Sequence, residues 1–162
     1  MQIAVWVFPV LLAITLHEAA HAYAAMFFGD KTAKECGRLS LNPIRHIDLI
    51  GTIAVPSILI VGGAPFLFGW AKPVPITPSR LSSPRRDMVW VAAAGPLVNL
   101  LLALISSWLL LLALQFPNQI SSLVLDILRN SVVINVILFV FNLIPLPPLD
   151  GGRIAVGLLP HP

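Results

Sequence analysis

The chain has 162 residues, of which 57% are apolar and only 10% are charged, and its mean hydropathy is +0.91. Soluble domains carry about 25% charged residues, so this composition excludes an ordinary soluble domain and predicts an integral membrane protein. The formal net charge of +3 comes from basic clusters beside the apolar runs, which indicates membrane orientation rather than nucleic-acid binding. The single cysteine, Cys36, excludes an intrachain disulfide and a zinc site with several thiolate ligands.

The first apolar run predicts a membrane helix over residues 3–29 that carries a metal-binding motif. His17 and His21 lie four residues apart in the sequence HEAAH, so both imidazoles share one helix face and can bind one zinc ion. Glu18 is close enough to take a proton from a metal-bound water. The rest of the run has no charged residue, and no Lys or Arg precedes it. We therefore predict a retained helix that supports zinc hydrolysis within a membrane, rather than a signal peptide.

In the first basic segment, residues 37–42 predict one strand of a short β-hairpin. Leu39 and Leu41 alternate with Arg38 and Ser40, which is the period of a strand. An exposed strand edge at this place could pair with an extended peptide. A surface turn is the alternative.

The second apolar run, residues 49–70, is a poor continuous helix because it contains four glycines and two prolines. The flanking segments 30–48 and 71–87 each contain four Lys or Arg residues. Basic residues favour the cytoplasmic side, so we expect both segments there and the run between them to be re-entrant. A kinked spanning helix is the alternative, since the length of the run permits a crossing.

The last two apolar runs predict a helix over 88–116 and a helix over 131–159 that is broken near 145–150. Small residues near the start of the third run allow close helix contact, and three prolines loosen the backbone of the last run. All four runs together predict an all-α membrane protein, a polytopic transmembrane helix bundle that forms one core over residues 1–162. The chain stops soon after its last motif, as a fragment truncated at the C-terminus would.

A catalytic zinc ion usually has three protein ligands and one open position for water, so the two histidines need a partner. Asp150 closes a run that has no charge from Ser131 onward, and a carboxylate at such a place is costly unless it is paired or bound to metal. Gly151 and Gly152 would let another backbone or a substrate approach closely. An interfacial Asp150 paired with Arg153 is the alternative. The other candidate ligands are Glu35, His46, Asp48, Asp126 and His161.

Three motifs follow one another along the chain: HEAAH at 17–21, GPLVN at 95–99 and NLIPLPPLDG at 142–151. In this combination and order they resemble the site-2 protease family of intramembrane zinc metalloproteases. The stretches GRLSLNP, HID and GWAKPVP, which begin at Gly37, His46 and Gly69, resemble the small prokaryotic members. The likeness covers nearly the whole chain.

The resemblance implies a role for each motif. The ligands of one zinc ion per chain would be His17, His21 and Asp150. Glu18 would be the general base. Asn142 matches a position that helps to hold the substrate or the oxyanion, and Asn99 would have a similar polar role. For both amides an interhelical hydrogen bond is the alternative.

The activity that these features predict is that of an intramembrane zinc metalloendopeptidase in a prokaryotic cell membrane. Its partners would be the lipid bilayer and a membrane helix of a substrate protein, which must unwind because a helix hides its carbonyls in internal hydrogen bonds. A metal-binding membrane receptor or transporter without hydrolytic activity is the alternative. The chain has only four histidines, and a simple binding site does not need Glu18, so the protease interpretation is favoured. The sequence predicts no oligomeric state.

Overall fold

The computed structural model describes residues 4–63, 69–116 and 118–159, and these residues form helices and turns without any strand. The helices are α1 (Ala4–Phe27), α2 (Thr32–Glu35), α3 (Val55–Val61), α4 (Pro84–Ala113), α5 (Ser122–Asn142) and α6 (Asp150–Leu158). Shorter helical turns occur at Pro43–Arg45, Leu49–Ala54 and Pro78–Arg80. The predicted all-α fold is confirmed.

The central helix is α4, which packs against α1, α5 and α6. Small side chains permit these contacts: Ala13, Ala22 and Ala25 of α1 and Ala92 and Ala103 of α4 are all buried. Membrane helices pack in this way because lipid supplies little hydrophobic driving force between helices, whereas small residues let two backbones come close. Small residues therefore form much of the interior of the bundle.

Three helices, α1, α4 and α5, are long and apolar enough to cross a membrane. Large apolar side chains cover their outer faces. On α4, Leu97, Leu101, Leu104 and Trp108 recur every three or four residues, and each is 52–61% exposed. A soluble protein rarely exposes such a continuous apolar surface, whereas the lipid of a bilayer requires one. These features are consistent with an integral membrane protein.

The second apolar run does not form a spanning helix in the described residues, because its helical part, Leu49–Ala54 and α3, is too short to cross about 30 Å of hydrocarbon. The backbone N–H of Trp70 donates to the Gly51 carbonyl at 3.1 Å, and the Thr52 hydroxyl donates to the Trp70 carbonyl at 2.8 Å. These bonds join the beginning of the run to its end. Residues 64–68 lie outside the described residues.

The two basic segments lie against each other. The Asp30 carboxylate accepts hydrogen bonds from the backbone N–H groups of Thr32, at 2.9 Å, and Thr77, at 2.6 Å. The N–H of Ser82 donates to the Phe28 carbonyl at 2.9 Å. Because Phe28 follows α1 and Ser82 precedes α4, the chain leaves α1 and enters α4 at the same end of the bundle.

The predicted β-hairpin is wrong for the described part of the chain, because residues 37–42 contain no strand. The N–H of Ser40 bonds to the Arg38 carbonyl within the segment, at 3.0 Å, instead of pairing with another strand. The Arg38 guanidinium donates to the Lys72 carbonyl at 2.5 Å, so a side chain connects these two segments. Four alternating residues are too few to specify a strand without a partner strand.

The helix predicted over 131–159 with a break near 145–150 consists of α5 and α6, which are separated by residues 143–149, and α4 begins at Pro84 instead of at residue 88. α5 begins earlier than predicted, because Ser121 caps it by accepting a hydrogen bond from the N–H of Val124. The proline-containing stretch after α5 ends that helix, and α6 begins beyond it.

Candidate metal centre

Two histidines of α1 and the first residue of α6 converge in the interior of the bundle. His17 Nε2 lies 3.0 Å from His21 Nε2, and both atoms lie 3.2 Å from Asp150 Oδ2. All three side chains are buried. Within the described residues they are the one group of His, Cys, Asp or Glu side chains that could hold a metal ion. The predicted alternative, in which Asp150 pairs with Arg153, is not found among the described ion pairs.

Two glycines allow Asp150 to reach the histidines. A Cβ atom on Gly151 would lie 2.5 Å from the Ile144 carbonyl oxygen, and one on Gly152 would lie 2.5 Å from the Pro147 nitrogen. Any larger residue would therefore push the start of α6 away from the turn that precedes it. The close approach that the sequence predicted at these glycines is made by the backbone of the chain itself.

A third glycine makes room for the two imidazoles. A Cβ atom on Gly95 of α4 would lie 2.7 Å from His17 Cε1 and would also overlap the Nε2 atom of His21. Because glycine has no side chain, α4 can pass directly behind both rings. The motif that contains Gly95 therefore contributes space to the site.

The outer nitrogen of each ring has its own hydrogen-bond acceptor. His21 Nδ1–H donates to the Val91 carbonyl at 2.7 Å, and His17 Nδ1–H donates to Asn99 Oδ1 at 2.5 Å. Since both Nδ1 atoms carry the proton, both Nε2 atoms present lone pairs to the centre. Two lone pairs and the Asp150 carboxylate then face one another, which is unfavourable unless a cation lies between them.

The spacing of these atoms fits zinc. A tetrahedral zinc ion with bonds of 2.0–2.2 Å holds its ligand atoms roughly 3.3–3.6 Å apart. The observed separations of 3.0 and 3.2 Å are close to this range. Two imidazoles and one carboxylate are also a ligand set that catalytic zinc uses, with the fourth position open.

Glu18 is held by a segment from another part of the chain. Its Oε2 atom accepts a hydrogen bond from the backbone N–H of Val74 at 2.8 Å. Val74 is buried, and it lies in the segment without regular secondary structure between residues 69 and 77 that leads towards α4. The carboxylate beside the first histidine is therefore oriented by a fixed backbone donor.

Comparison with known proteins identifies the family. The sequence model of Peptidase family M50 matches residues 5–130 and 114–161. The chain belongs to Peptidase family M50. The predicted resemblance to site-2 proteases is thereby confirmed, and so are the expectations of a zinc metalloprotease and of zinc as its cofactor.

Curated relatives of this M50 peptidase come from bacteria. The chain is 43% identical over 158 residues to "Putative zinc metalloprotease YwhC" of Bacillus subtilis, an alignment that covers 95% of this chain and 68% of that protein. It is 33% identical over 162 residues to "Putative zinc metalloprotease Rip2" of Mycobacterium tuberculosis, covering 99% of the chain and 57% of the relative. Rip2 of Mycolicibacterium smegmatis is 31% identical over 141 residues, covering 87% and 52%. The alignments thus span 52–68% of the length of these relatives. No solved structure matched the chain.

In this M50 peptidase, Asn99 is completely buried and contacts the metal centre through His17. Its Nδ2 atom donates to Asn135 Oδ1 at 2.9 Å and to the Ala13 carbonyl at 3.4 Å. The bond to Asn135 is the shorter of the two, and the oxygen of the amide faces His17. A direct contact of Asn99 with the substrate or the oxyanion stays a prediction.

Asn142 occupies the last position of α5. Its Nδ2 atom donates to the Leu138 carbonyl of the same helix at 3.0 Å. The described hydrogen bonds therefore do not connect Asn142 to the metal centre. Its predicted contact with substrate or oxyanion stays a prediction.

The remaining ligand candidates lie elsewhere or have other partners. Glu35 pairs with Arg80 and Asp126 with Arg129, both on the surface. The other two described candidates are engaged as follows: His46 Nε2–H donates to the Ser40 carbonyl, and Asp48 accepts from the N–H groups of Ile50 and Gly51. His161 lies outside the described residues.

Two residues of the site were missed by the sequence reasoning. Val74, which orients Glu18, acts through its backbone N–H, so its side chain carries no signal. Asn135, which contacts Asn99, is a polar residue in the middle of an apolar helix. An amide in an apolar helix needs a hydrogen-bond partner, so the sequence could have indicated that Asn135 contacts a polar group of another helix.

Proposed function

We propose that this protein is an intramembrane zinc metalloendopeptidase that cuts membrane-spanning segments of other proteins. One observation carries the proposal: the ligand set His17, His21 and Asp150 lies inside a bundle whose outer surface is apolar, with Glu18 adjacent in sequence to the first ligand. M50 membership supports the peptidase chemistry. The helices α1, α4 and α5 support the membrane setting.

The depth of the site supports cleavage within the membrane. His17 lies ten residues before Phe27, the last residue of α1. At 1.5 Å per residue this places it about 15 Å from the end of the helix, near the middle of a hydrocarbon layer of about 30 Å. A peptide bond that reaches this position belongs to a segment that is itself in the membrane. Because helical carbonyls are engaged in internal hydrogen bonds, that segment must unwind locally before hydrolysis.

Each residue of the metal centre has a separate role in the proposed hydrolysis. His17, His21 and Asp150 would hold the zinc ion, which when bound would supply the activation of water for attack on the peptide carbonyl. Glu18 keeps its Oε2 atom on the Val74 N–H and uses Oε1 as the general base. The carboxyl group then returns the proton to the amine of the leaving peptide. Asn99 holds the His17 ring, and Asn142 contacts the substrate at the end of α5.

The central test separates metal binding from proton transfer. Glu18→Gln should still bind about one zinc per chain but should cleave a single-span substrate in reconstituted vesicles about 10²–10⁴-fold more slowly, because the amide cannot accept the proton. Cleavage rate and zinc content are measured on the same preparation. Glu35→Gln is the matched control, since it makes the same chemical change in a surface ion pair and should retain full activity. Cleavage by Glu18→Gln at the wild-type rate would mean that another group activates the water.

We also propose that residues 49–70 enter and leave the membrane on its cytoplasmic side. The bond between Gly51 and Trp70 supports this topology, because a spanning run would hold its two ends about 30 Å apart. The hydrogen bond from the Thr77 N–H to the Asp30 carboxylate joins the two flanking basic segments and is a second observation that supports this topology.

Labelling with a membrane-impermeant thiol reagent tests the topology. Native Cys36 is exposed and reports on the first basic segment, while Ser79→Cys in a Cys36→Ser background reports on the second. Both sites should react only from the cytoplasmic side. Reaction of the two sites from opposite sides would show that the run crosses the membrane.

A further inference from the structure

A chain of hydrogen bonds leads from the metal centre into α5. His17 Nδ1 lies 2.5 Å from Asn99 Oδ1, Asn99 Nδ2 lies 2.9 Å from Asn135 Oδ1, and Asn135 Nδ2 lies 2.8 Å from the Ser131 carbonyl oxygen. The two amides are buried, with exposures of 0% and 1%. Three helices, α1, α4 and α5, are thus connected by one line of polar groups.

The last atom of this chain fixes its direction. A backbone carbonyl can only accept, so the Ser131 oxygen requires the Nδ2 end of Asn135. Oδ1 of Asn135 must then face Asn99, and it accepts a hydrogen bond from Asn99 Nδ2. Asn99 therefore presents Oδ1 to His17, whose Nδ1 must carry the ring proton. The lone pair of His17 is left on Nε2, where it faces His21 and Asp150.

The opposite arrangement would disable the ligand. If the Asn99 amide were turned around, its Nδ2 would face His17 Nδ1, and the ring proton would move to Nε2. Protonated Nε2 cannot bind a metal ion. The second partner of Asn99 Nδ2, the Ala13 carbonyl, lies at 3.4 Å and is too distant to hold the amide firmly. The bond to Asn135 is therefore the stronger constraint.

We propose that Asn135 is a positioning residue of the metal centre: through Asn99 it fixes the tautomer of His17 that offers Nε2 to the ion. The residue does not touch zinc, substrate or the reacting atoms. This inference rests on the zinc site of the proposed function. It adds a residue on α5, a helix that supplies no ligand, to the machinery that holds the ion.

The first measurement is made on zinc-free protein. The complete chain is labelled with ¹⁵N at its four histidines, purified in detergent and examined by NMR at alkaline pH, with the His46 and His161 signals assigned by substitution. Wild-type His17 should show the Nδ1–H tautomer alone. Asn135→Leu, which has a similar size and no polar group, should show a mixture of tautomers. Asn135→Asp should retain the wild-type tautomer, because a buried carboxyl group that stays protonated accepts from Asn99 through one oxygen and donates to the Ser131 carbonyl through the other.

The second measurement is zinc affinity by competition with a chelator. Asn135→Leu should bind zinc about 10–100-fold more weakly, the loss typical of removing a residue that orients a ligand, while Asn135→Asp should stay within about threefold of wild type. Ser106→Ala is the matched control. It removes the hydrogen bond of 2.8 Å between the Ser106 and Ser131 hydroxyls, which also joins α4 to α5, but leaves the Ser131 carbonyl in place. In Ser106→Ala, the His17 tautomer and the zinc affinity should both equal those of the wild type.

Two results would overturn the inference. One is a pure Nδ1–H tautomer of His17 in Asn135→Leu, whatever its zinc affinity, since Asn135 would then act only in packing. The other is a tautomer mixture together with wild-type affinity. If Asn135→Leu does not fold, Asn135→Ala removes the same polar groups and carries the same expectation. Because the tautomer is read without metal or substrate, an inactive wild-type protein would count against the proposed function and not against this inference.

Discussion

Asp30, in the connection between α1 and α2, and Asp150, the first residue of α6, are both buried carboxylates, but their surroundings are opposite. Asp30 accepts from the Thr32 N–H at 2.9 Å, the Thr32 hydroxyl at 2.5 Å and the Thr77 N–H at 2.6 Å. Asp150 instead faces the Nε2 atoms of His17 and His21, whose protons lie on the far side of each ring. One carboxylate is surrounded by donors, and the other is surrounded by acceptors.

The difference separates a structural carboxylate from a binding site. Burial of a charged group is tolerated when its hydrogen bonds are made within the protein, and the three donors around Asp30 meet that condition. Around Asp150 the neighbouring groups supply lone pairs, so a cation is needed to complete the arrangement. Burial alone would not distinguish the two residues; the chemical nature of the facing atoms does.

The largest expected effect is loss of the metal after removal of Asp150. Wild-type protein should contain about one zinc per chain, and Asp150→Ala should lose most of it, because two histidines alone do not complete a catalytic zinc site. Elemental analysis of purified protein measures the content. Asp126→Ala is the control, since that carboxylate was also a ligand candidate but is exposed and paired with Arg129. Full zinc in Asp150→Ala would remove the residue from the ligand set.

A smaller effect is expected when space is removed instead of a ligand. Gly95→Ala should weaken zinc binding at least about tenfold, because its Cβ would lie 2.7 Å from His17 Cε1 and force α4 away from both rings. The substitution should not unfold α4, since alanine favours a helix by about 1 kcal/mol over glycine. Helix content by circular dichroism should therefore be retained while chelator competition shows the loss. Unchanged affinity would show that α4 can shift without disturbing the rings.

Much of the metal centre was predictable because its signals are local in sequence. The spacing of His17 and His21 is a helical period, and Asp150 is a lone charge that ends an apolar run. The contact that fixes His17 was not predictable in the same way, since Asn99 and Asn135 lie on different helices and no spacing rule relates them. Pairing between helices is decided by packing, which a single sequence does not display.

The fold shows the same division between local and non-local information. The long apolar runs predicted α1, α4 and α5, because hydropathy over about 20 residues is a strong signal. The hairpin prediction at 37–42 was wrong, since a strand depends on a partner that four alternating residues do not specify. The bond between Gly51 and Trp70 likewise depends on tertiary structure, and the re-entrant topology that the charge pattern predicts for this run stays a prediction.

The smallest expected effect concerns Asp30 and is one of stability. Burial alone would raise the pKa of this carboxyl group, but hydrogen bonds from Thr32 and Thr77, together with the charge of Arg80, lower the pKa below its ordinary value of 3.8. Because the pKa is lower in the folded state than in the unfolded state, the carboxylate stabilises the fold fully above the unfolded value. This contribution is lost as the pH falls through the folded value.

Asp30→Asn should therefore lower the free energy of unfolding at neutral pH by about 1–3 kcal/mol, since its Nδ2 atom would face a donor and leave a buried group unpaired. The difference from wild type should shrink as the pH falls below about 4, because the unfolded chain takes up this proton there whereas the folded protein takes it up only at a lower pH. Thermal unfolding in detergent over a pH series measures both effects, with the exposed Asp126→Asn as control. Zinc content of Asp30→Asn should equal that of wild type, in contrast to Asp150→Ala. Loss of zinc in Asp30→Asn, or a stability difference that grows towards acid pH, would contradict the distinction between the two carboxylates.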